Sequence, residues 1–168
     1  MAKQSNPGRG SNSPPAVSPP DVATLDALVT AMYESVSFPP GSQPDFERLR
    51  ALFHPEGRII PPRTERGAEL EVIDVENFIA RSRVDVVTSG LERRGFQERE
   101  VARRSGVFGS MVHIFSTYES RYTANDPAPF QRGINSIQLV EDSNRFWILS
   151  ILWEAERSGN PIPKSFLI

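Results

Sequence analysis

Helical and strand patterns occupy separate parts of this chain, and their order limits the folds that it can adopt. Apolar residues recur at helical spacing over 22–36, 45–53 and 74–88. From residue 96 onward the chain has strand patterns instead: 96–107 alternates but is unusually charged, and 111–122 is rich in β-branched and aromatic residues. Only one short strand, 58–62, lies among the helices. Because helices and strands do not alternate, the order predicts an α+β domain with three N-terminal helices packed on a strongly curved, mainly antiparallel sheet.

Turn and capping residues indicate where these elements begin and end. Ser18–Asp21 resembles a capping box before the first helix, and Pro39–Gly41 ends that helix. Asp74 caps the third helix in this interpretation, and Gly90 lies just past its end. The long strands are predicted over 96–107, 111–122, 134–141 and 146–154.

Composition divides the chain into three parts. Residues 1–19 are rich in Pro, Ser, Gly and Asn and predict a disordered tail, which is either passive or a partner-binding arm. Residues 20–157 carry the periodic patterns and predict one domain. Residues 158–168 form a C-terminal tail whose last three residues, Phe166–Ile168, can dock on the domain.

Several classes of chemistry are excluded or disfavoured by the residues themselves. The chain has no cysteine, so it has no disulfide and no thiolate site. Its two histidines lie far apart, and it has no phosphate loop or dinucleotide fingerprint, so neither a metal nor a cofactor is expected. A net charge of −2 gives no general attraction to nucleic acid or membrane. No apolar run is long enough for a membrane span or a secretory signal, so a cytoplasmic location is expected.

The last strand is apolar on both faces. Trp147, Leu149, Ile151 and Trp153 fall on one face, which can cover the helices, and Ile148 and Leu152 fall on the other. A strand that faced water would usually be polar on that side. Either Phe166–Ile168 or a second copy of the chain covers this second face, and we favour a sheet-to-sheet homodimer.

Four segments together resemble the nuclear transport factor 2-like proteins, and most closely their SnoaL-like branch. They are Leu52–Gly57, Val112–Glu119, Gly133–Leu139 and Phe146–Trp153, and the resemblance covers roughly residues 21–156. It implies a cone-shaped, cystatin-like α+β roll with a pocket between helices and sheet, and frequent homodimers. Members of this superfamily include ketosteroid isomerases, polyketide cyclases, scytalone dehydratase, epoxide hydrolases and pocket-bearing proteins with no known reaction, so the fold does not decide the function.

Candidate acid–base residues lie on the strand over 111–122. His113, Phe115, Thr117 and Glu119 share one face of this strand. If that face lines the pocket, His113 and Glu119 are candidate catalytic residues, and Phe115 and Thr117 are candidate ligand-binding residues. The alternative is that His113 is a hydrogen-bonded, half-buried residue and Glu119 forms ion pairs across strands.

Four further residues are candidates for ligand binding. His54 either reaches into the pocket or caps the preceding helix. Arg104 shares a face with Glu98 and Glu100 and either binds an anionic group of a ligand or joins surface ion pairs. Asn135 is polar in an apolar strand, and it either orients a ligand or satisfies a backbone group. The fourth is Trp153 of the last strand.

Two hypotheses for the function follow. The first is a protein whose pocket binds a small hydrophobic or polar ligand; its catalytic form is a cofactor-free isomerase, cyclase or dehydratase that acts by general acid–base catalysis. The second is a non-catalytic dimeric interaction module. An enzyme needs at least one acid–base group of perturbed pKa in a water-poor pocket, and this feature separates the two.

Overall fold

The structure is a computed structural model and describes residues 19–63 and 69–168. The predicted disordered tail lies, apart from residue 19, outside the described residues. The described helices are α1 (Pro19–Val22), α2 (Leu25–Val36), α3 (Phe46–Leu52), α4 (Val75–Thr88) and α5 (Leu91–Arg94). The strands are β1 (Phe53–Ile60), β2 (Gln97–Phe108), β3 (Met111–Arg121), β4 (Gln131–Asp142) and β5 (Arg145–Ala155), and a short 3-10 turn spans Lys164–Phe166.

The predicted first helix is divided in two. The chain bends at Ala23 and Thr24, and the Thr24 hydroxyl accepts a hydrogen bond of 3.1 Å from the Ala27 amide to begin α2. The second and third predicted helices are confirmed as α3 and α4, with the Asp45 and Asp74 carboxylates as their N-caps. The short helix α5 was not predicted, and it begins beyond Gly90, whose φ is 76°.

The five strands form one sheet in the order β1-β5-β4-β3-β2. β1 runs parallel to β5, and every other neighbouring pair in this sheet is antiparallel. The predicted α+β class with a mainly antiparallel sheet is therefore confirmed. β1 begins at Phe53, earlier than the predicted start at residue 58, and its register with β5 is irregular between Phe53 and Arg58.

Two bulges change which residues share a face of the sheet. In β2 the register shifts between Glu100 and Ala102, so Arg103 joins Glu100 on the inner face while Arg104 pairs with the outward Phe115. The prediction that Arg104 shares a face with Glu100 is therefore wrong.

The second bulge lies in β5, where Gln138 pairs with Ser150 but Leu139 pairs with Ile148. Leu149 is the extra residue, and it is exposed. Ile148 is fully buried and shares the inner face with the buried Ile151, so the predicted face of Trp147, Leu149, Ile151 and Trp153 is also wrong.

The core lies between the helices and the inner face of the sheet. Leu28, Leu52, Ile114, Ile137 and Ile148 are fully buried there. Burial of aliphatic side chains of this size stabilises the fold by about 1.5–3 kcal/mol each. No helix in the described part of the chain is long and apolar enough to cross a membrane.

The C-terminal tail packs on the outer face of the sheet. The ring of Phe166 meets Phe115 edge-on with centroids 5.4 Å apart, and the Arg104 guanidinium lies 5.4 Å from the Phe166 ring centre. Thr117 Oγ1 donates a 2.6 Å hydrogen bond to the Phe166 carbonyl oxygen. Phe166 thus covers part of β2 and β3, whereas Leu152 on β5 is 42% exposed.

Candidate functional site

A cavity of about 250 Å³ lies between the helices and the inner face of the sheet. Its six aromatic lining residues are Tyr33, Phe53, Phe78, Phe96, Tyr118 and Trp153. Its aliphatic and thioether lining residues are Met32, Val36, Leu49, Ile59 and Ile151. Its remaining lining residues are polar: Glu98, Gln131 and Asn135. An apolar cavity with a few convergent polar groups is the usual form of a small-molecule site.

Strand register brings the polar groups to this cavity. Glu98 of β2 is paired with Ser120 of β3, and Asn135 of β4 is paired with Ser116 of β3. Because side chains alternate across a strand, Tyr118 points to the same side as Ser116 and Ser120. Three neighbouring strands therefore each direct a polar side chain, Glu98, Tyr118 or Asn135, into one hollow.

Glu98 is the acidic residue of the cavity wall. Ser120 Oγ donates a 2.8 Å hydrogen bond to Oε2 of Glu98. Oε1 makes no hydrogen bond with another described residue and is accessible. Burial raises the pKa of Glu98 to about 7, and the Ser120 hydrogen bond opposes this shift only in part. Glu98 therefore exchanges its proton near neutral pH.

Tyr118 supplies a hydroxyl to the same cavity. The residue is 3% exposed, and its hydroxyl makes no hydrogen bond with another described residue. Burial raises the pKa of Tyr118 well above its usual value, and the charges of Glu98 and Glu154 raise it further. Tyr118 therefore keeps its proton and can donate it in a hydrogen bond to a ligand.

Gly133 makes room for the Tyr118 ring. The two residues are paired across β3 and β4, and a Cβ atom at Gly133 would lie 2.5 Å from the Tyr118 hydroxyl oxygen and 2.6 Å from Cζ. It would also collide with the backbone carbonyl of Glu154. A side chain at this position would displace Tyr118 from the cavity wall.

A chain of hydrogen bonds fixes the other polar side of the cavity. Asn135 Nδ2 donates to the Tyr33 hydroxyl oxygen at 3.0 Å, and this oxygen lies 2.7 Å from Ser116 Oγ. Ser116 Oγ donates in turn to the Glu100 carboxylate. Because the Ser116 proton is used on Glu100, the Tyr33 hydroxyl must donate to Ser116.

Arg103 extends this chain of hydrogen bonds to the molecular surface. Arg103 Nε donates to both oxygens of Glu100, at 2.9 and 3.1 Å, and Nη1 donates to the exposed Asp26 at 2.6 Å. Glu100 is thus paired with Arg103, whereas Glu98 has no cationic partner among the described residues. The two carboxyl groups of β2 therefore differ in charge environment.

Two of the ligand-binding residues predicted from the sequence lie at this cavity. Asn135 is 5% exposed and lines it through its amide group. Trp153 lines it through its indole ring, which meets Phe78 edge-on with ring centres 6.3 Å apart.

The predicted acid–base residues face the opposite side of the sheet. His113 Nε2 lies 2.9 Å from Ser136 Oγ, and its ring contacts Phe115. Glu119 accepts hydrogen bonds from Arg99 Nε at 2.7 Å and from Arg121. Burial alone would raise the pKa of Glu119, but these two guanidinium groups lower it overall. None of His113, Phe115, Thr117 and Glu119 lines the cavity.

Arg104 and His54 also lie away from the cavity. Arg104 is exposed and lies over the Phe166 ring. His54 Nδ1 accepts a 3.1 Å hydrogen bond from the Glu56 amide, and its ring meets Trp147 edge-on. The Ala51 carbonyl near the end of α3 is instead satisfied by Arg145 Nη2 at 2.9 Å.

Sequence reasoning missed Glu98, Tyr118 and Tyr33 as cavity residues. In the sequence, Glu98 stands among neighbouring charges, and Tyr118 lies on the opposite face of its strand from His113 and Glu119. No pattern within the strand marks the face of Ser116, Tyr118 and Ser120 as the inward one. Within residues 19–63 and 69–168, no three His, Asp or Glu side chains are gathered to hold a metal ion.

Comparison with known proteins identifies the fold. The sequence matches no described protein family and no curated protein. A nuclear transport factor 2-like protein of unknown function from Silicibacter pomeroyi is similar in structure, with a TM-score of 0.53, 16% identity, and 80% of this chain and 94% of that chain covered. A protein of unknown function with a cystatin-like fold from Nostoc punctiforme also has a TM-score of 0.53, with 11% identity and 68% and 78% of the two chains covered.

A domain of unknown function with a cystatin-like fold, also from Nostoc punctiforme, gives the same TM-score of 0.53. It is 10% identical, and the match covers 79% of this chain and 77% of that chain. The chain therefore has a cystatin-like fold, similar to that of a nuclear transport factor 2-like protein, as predicted. The SnoaL-like branch stays a prediction.

Proposed function

We propose that this protein binds a small, largely apolar ligand in the cavity between its helices and sheet. The observation that carries the proposal is the convergence of Glu98, Tyr118 and Asn135 from three strands on a hollow lined by aromatic and aliphatic side chains. The apolar wall supplies burial, and the three polar groups fix the orientation of the ligand. The Oε1 atom of Glu98 and the Tyr118 hydroxyl have no partner among the described residues, so a ligand can use both.

The proposal is tested with 2-phenylethanol and 2-tetralone as probes. In a Trp147→Phe variant, Trp153 is the only remaining tryptophan, so its fluorescence reports on the cavity. We expect a change in Trp153 emission and a rise in melting temperature as either probe saturates the cavity.

A cavity-filling variant supplies the control. Val36→Phe places a larger side chain into the cavity wall and should abolish binding, whereas Leu152→Phe makes a comparable addition on the outer face and should leave binding unchanged. Binding that survives Val36→Phe would show that the probes bind elsewhere.

A second candidate function is general acid–base catalysis on a carbonyl ligand. It is favoured by one observation: the same cavity is lined by the Glu98 carboxyl group, whose pKa is about 7, and by a Tyr118 hydroxyl that keeps its proton. The Glu98 carboxylate takes a proton from the carbon next to the carbonyl, Tyr118 donates a hydrogen bond to the enolate oxygen, and Glu98 then returns the proton. Deuterium exchange into 2-tetralone, followed by NMR, should be faster with the protein than in buffer and should fall to the buffer rate with Glu98→Gln.

We also propose that two copies of this chain form a sheet-to-sheet homodimer. Leu149 and Leu152 of β5 are 37% and 42% exposed on the outer face, at the side that Phe166 does not cover. Exposed aliphatic side chains on the outer face of a sheet are typical of an interface between copies. A cytoplasmic location stays a prediction.

A further inference from the structure

We propose that the ligand of the cavity carries a protonated amine, and that the Glu98 carboxylate and the surrounding aromatic rings bind this amine jointly. This inference rests on the proposed function, because it names the chemical class of the ligand that the same cavity takes. It is carried by the charges and the aromatic content of the wall.

The first argument is the charge of the lining. Glu98 is the one acid among the lining residues, and no Arg, Lys or His lines the cavity within the described residues. An anionic ligand would meet a carboxylate and no cation, and its burial would be costly. A cationic ligand would supply the partner that Glu98 lacks, since Ser120 is the one described residue that donates a hydrogen bond to this carboxylate.

The second argument is the aromatic wall. Six aromatic residues line a cavity of about 250 Å³, and they come from two helices, the segment before β2, and strands β1, β3 and β5. Aromatic faces attract cations, and cages of such rings are used to recognise ammonium groups. The same rings also bury the hydrocarbon part of an amine, so one wall serves both parts of the ligand.

The third argument concerns the groups that face Glu98. Tyr33 of α2 and Tyr118 of β3 are the other titratable lining residues, and burial raises the pKa of both, so they stay neutral. Glu100 on the same strand is already paired with Arg103. Arg99, Arg103 and Arg121 line neighbouring hollows that Glu98 also borders, but they are paired with Glu119 or Glu100. No described group therefore forms an ion pair with Glu98.

Binding of an ammonium group should be linked to release of the Glu98 proton. With a pKa of about 7, Glu98 is mostly protonated at pH 6 and mostly ionised at pH 8. A primary ammonium group stays charged over this range. Because only the ionised form of Glu98 pairs with it, the affinity should be about tenfold weaker at pH 6 than at pH 8.

The test compares three probes of similar size by isothermal titration calorimetry: 2-phenylethylamine, 2-phenylethanol and 3-phenylpropanoate. At pH 8 we expect the amine to bind at least about tenfold more tightly than the alcohol and the carboxylate to bind most weakly. Glu98→Gln should remove the advantage of the amine over the alcohol and the pH dependence of the amine affinity. Glu119→Gln, on the opposite face of the neighbouring strand, should change none of the three affinities.

Each other outcome counts against the inference. If the alcohol binds as tightly as the amine, or if Glu98→Gln leaves the amine affinity unchanged, the ligand is not held through a charge. The proposed function would still stand in that case, provided that Val36→Phe blocks the alcohol. If none of the three probes binds at millimolar concentration, both the inference and the proposed function are wrong.

Discussion

Glu98 and Glu119 show how one pair of adjacent strands holds two carboxyl groups in opposite states. Glu98 faces the hollow and has a single hydroxyl partner, and burial raises its pKa to about 7. Glu119 faces outward and is held between Arg99 and Arg121, which lower its pKa. A raised pKa is the expected feature of a group that works with protons or with a charged ligand, so we place the function at Glu98.

Glu98→Gln should make the protein more stable at alkaline pH. The pKa of Glu98 is about 7 in the folded state, against a usual value of 4.5. Between these two pH values the folded state therefore keeps a proton that the unfolded state has lost. The contribution of Glu98 to folding is therefore present at low pH and is lost as the pH rises from about 4.5 to about 7. In urea denaturation, the free energy of unfolding of the variant relative to that of the wild type should rise by up to about 3 kcal/mol between pH 4 and pH 8.

Glu119→Gln is the matched control with the opposite sign. A lowered pKa stabilises the fold above the usual pKa of a carboxyl group, and this contribution disappears as the pH falls through the lowered value. The variant should be less stable than the wild type at pH 7, and the difference should shrink in acid. Parallel pH profiles for the two variants would contradict these assignments.

Most elements could be predicted from the sequence because each one follows a local rule. Helices α3 and α4 have apolar residues at helical spacing and aspartate caps, and strands β3 to β5 are rich in β-branched and aromatic residues. The faces of β2 and β5 could not be predicted, because a single extra residue near Val101 and at Leu149 reverses the alternation beyond it.

The candidate site was predicted less well than the fold for the same reason. Asn135 and Trp153 were expected at the cavity and line it. His113 and Glu119 look more reactive in sequence than Tyr118, yet the register of β3 with its neighbours turns them outward. Which face of a strand points inward depends on contacts with distant residues, here between Ser116 and Tyr33 of α2, and no local pattern contains that information.

Ser116 links three elements, and its loss should be costly. Its hydroxyl joins Tyr33 of α2 to Glu100 of β2 from the middle of β3, and it is fully buried. Ser116→Ala leaves the Tyr33 hydroxyl without its acceptor and should cost about 1–3 kcal/mol in chemical denaturation.

Ser136→Ala provides a comparison on the next strand. Ser136 makes a single hydrogen bond, with His113 on the outer face, and is half-buried. The same substitution there should cost well under 1 kcal/mol, because water can replace the lost partner. Equal losses of stability for the two serine variants would show that the series of hydrogen bonds through Ser116 contributes no more than one ordinary hydrogen bond.

At the scale of the whole molecule, the sheet has a different task on each face. Its inner face closes the core and the cavity, and its outer face carries Phe166 at one side and exposed leucines at the other. An antiparallel sheet with apolar residues on both faces is typical of a protein that covers the second face. The C-terminal tail covers only the part formed by β2 and β3.

Leu152→Arg should separate the proposed dimer. A charge in the middle of the uncovered part of the outer face would be buried without a partner in a sheet-to-sheet dimer, so we expect light scattering to give the mass of one chain for the variant and of two chains for the wild type. Val84→Arg adds the same charge at a 59% exposed position of α4 and should leave the mass unchanged. A wild-type mass of one chain at high concentration would refute the dimer.

The hydrogen bonds through Tyr33 also determine which parts of the cavity wall accept a hydrogen bond and which donate one. Asn135 gives a hydrogen to the Tyr33 oxygen, and Tyr33 passes its own hydrogen away from the interior toward Ser116 and Glu100. At that point the wall offers an electron pair and no hydrogen. A guest molecule that settles against Tyr33 must therefore bring a hydrogen of its own. The Tyr118 hydroxyl has no partner among the described residues and can still give its hydrogen, so the two tyrosines suit different ends of the same molecule.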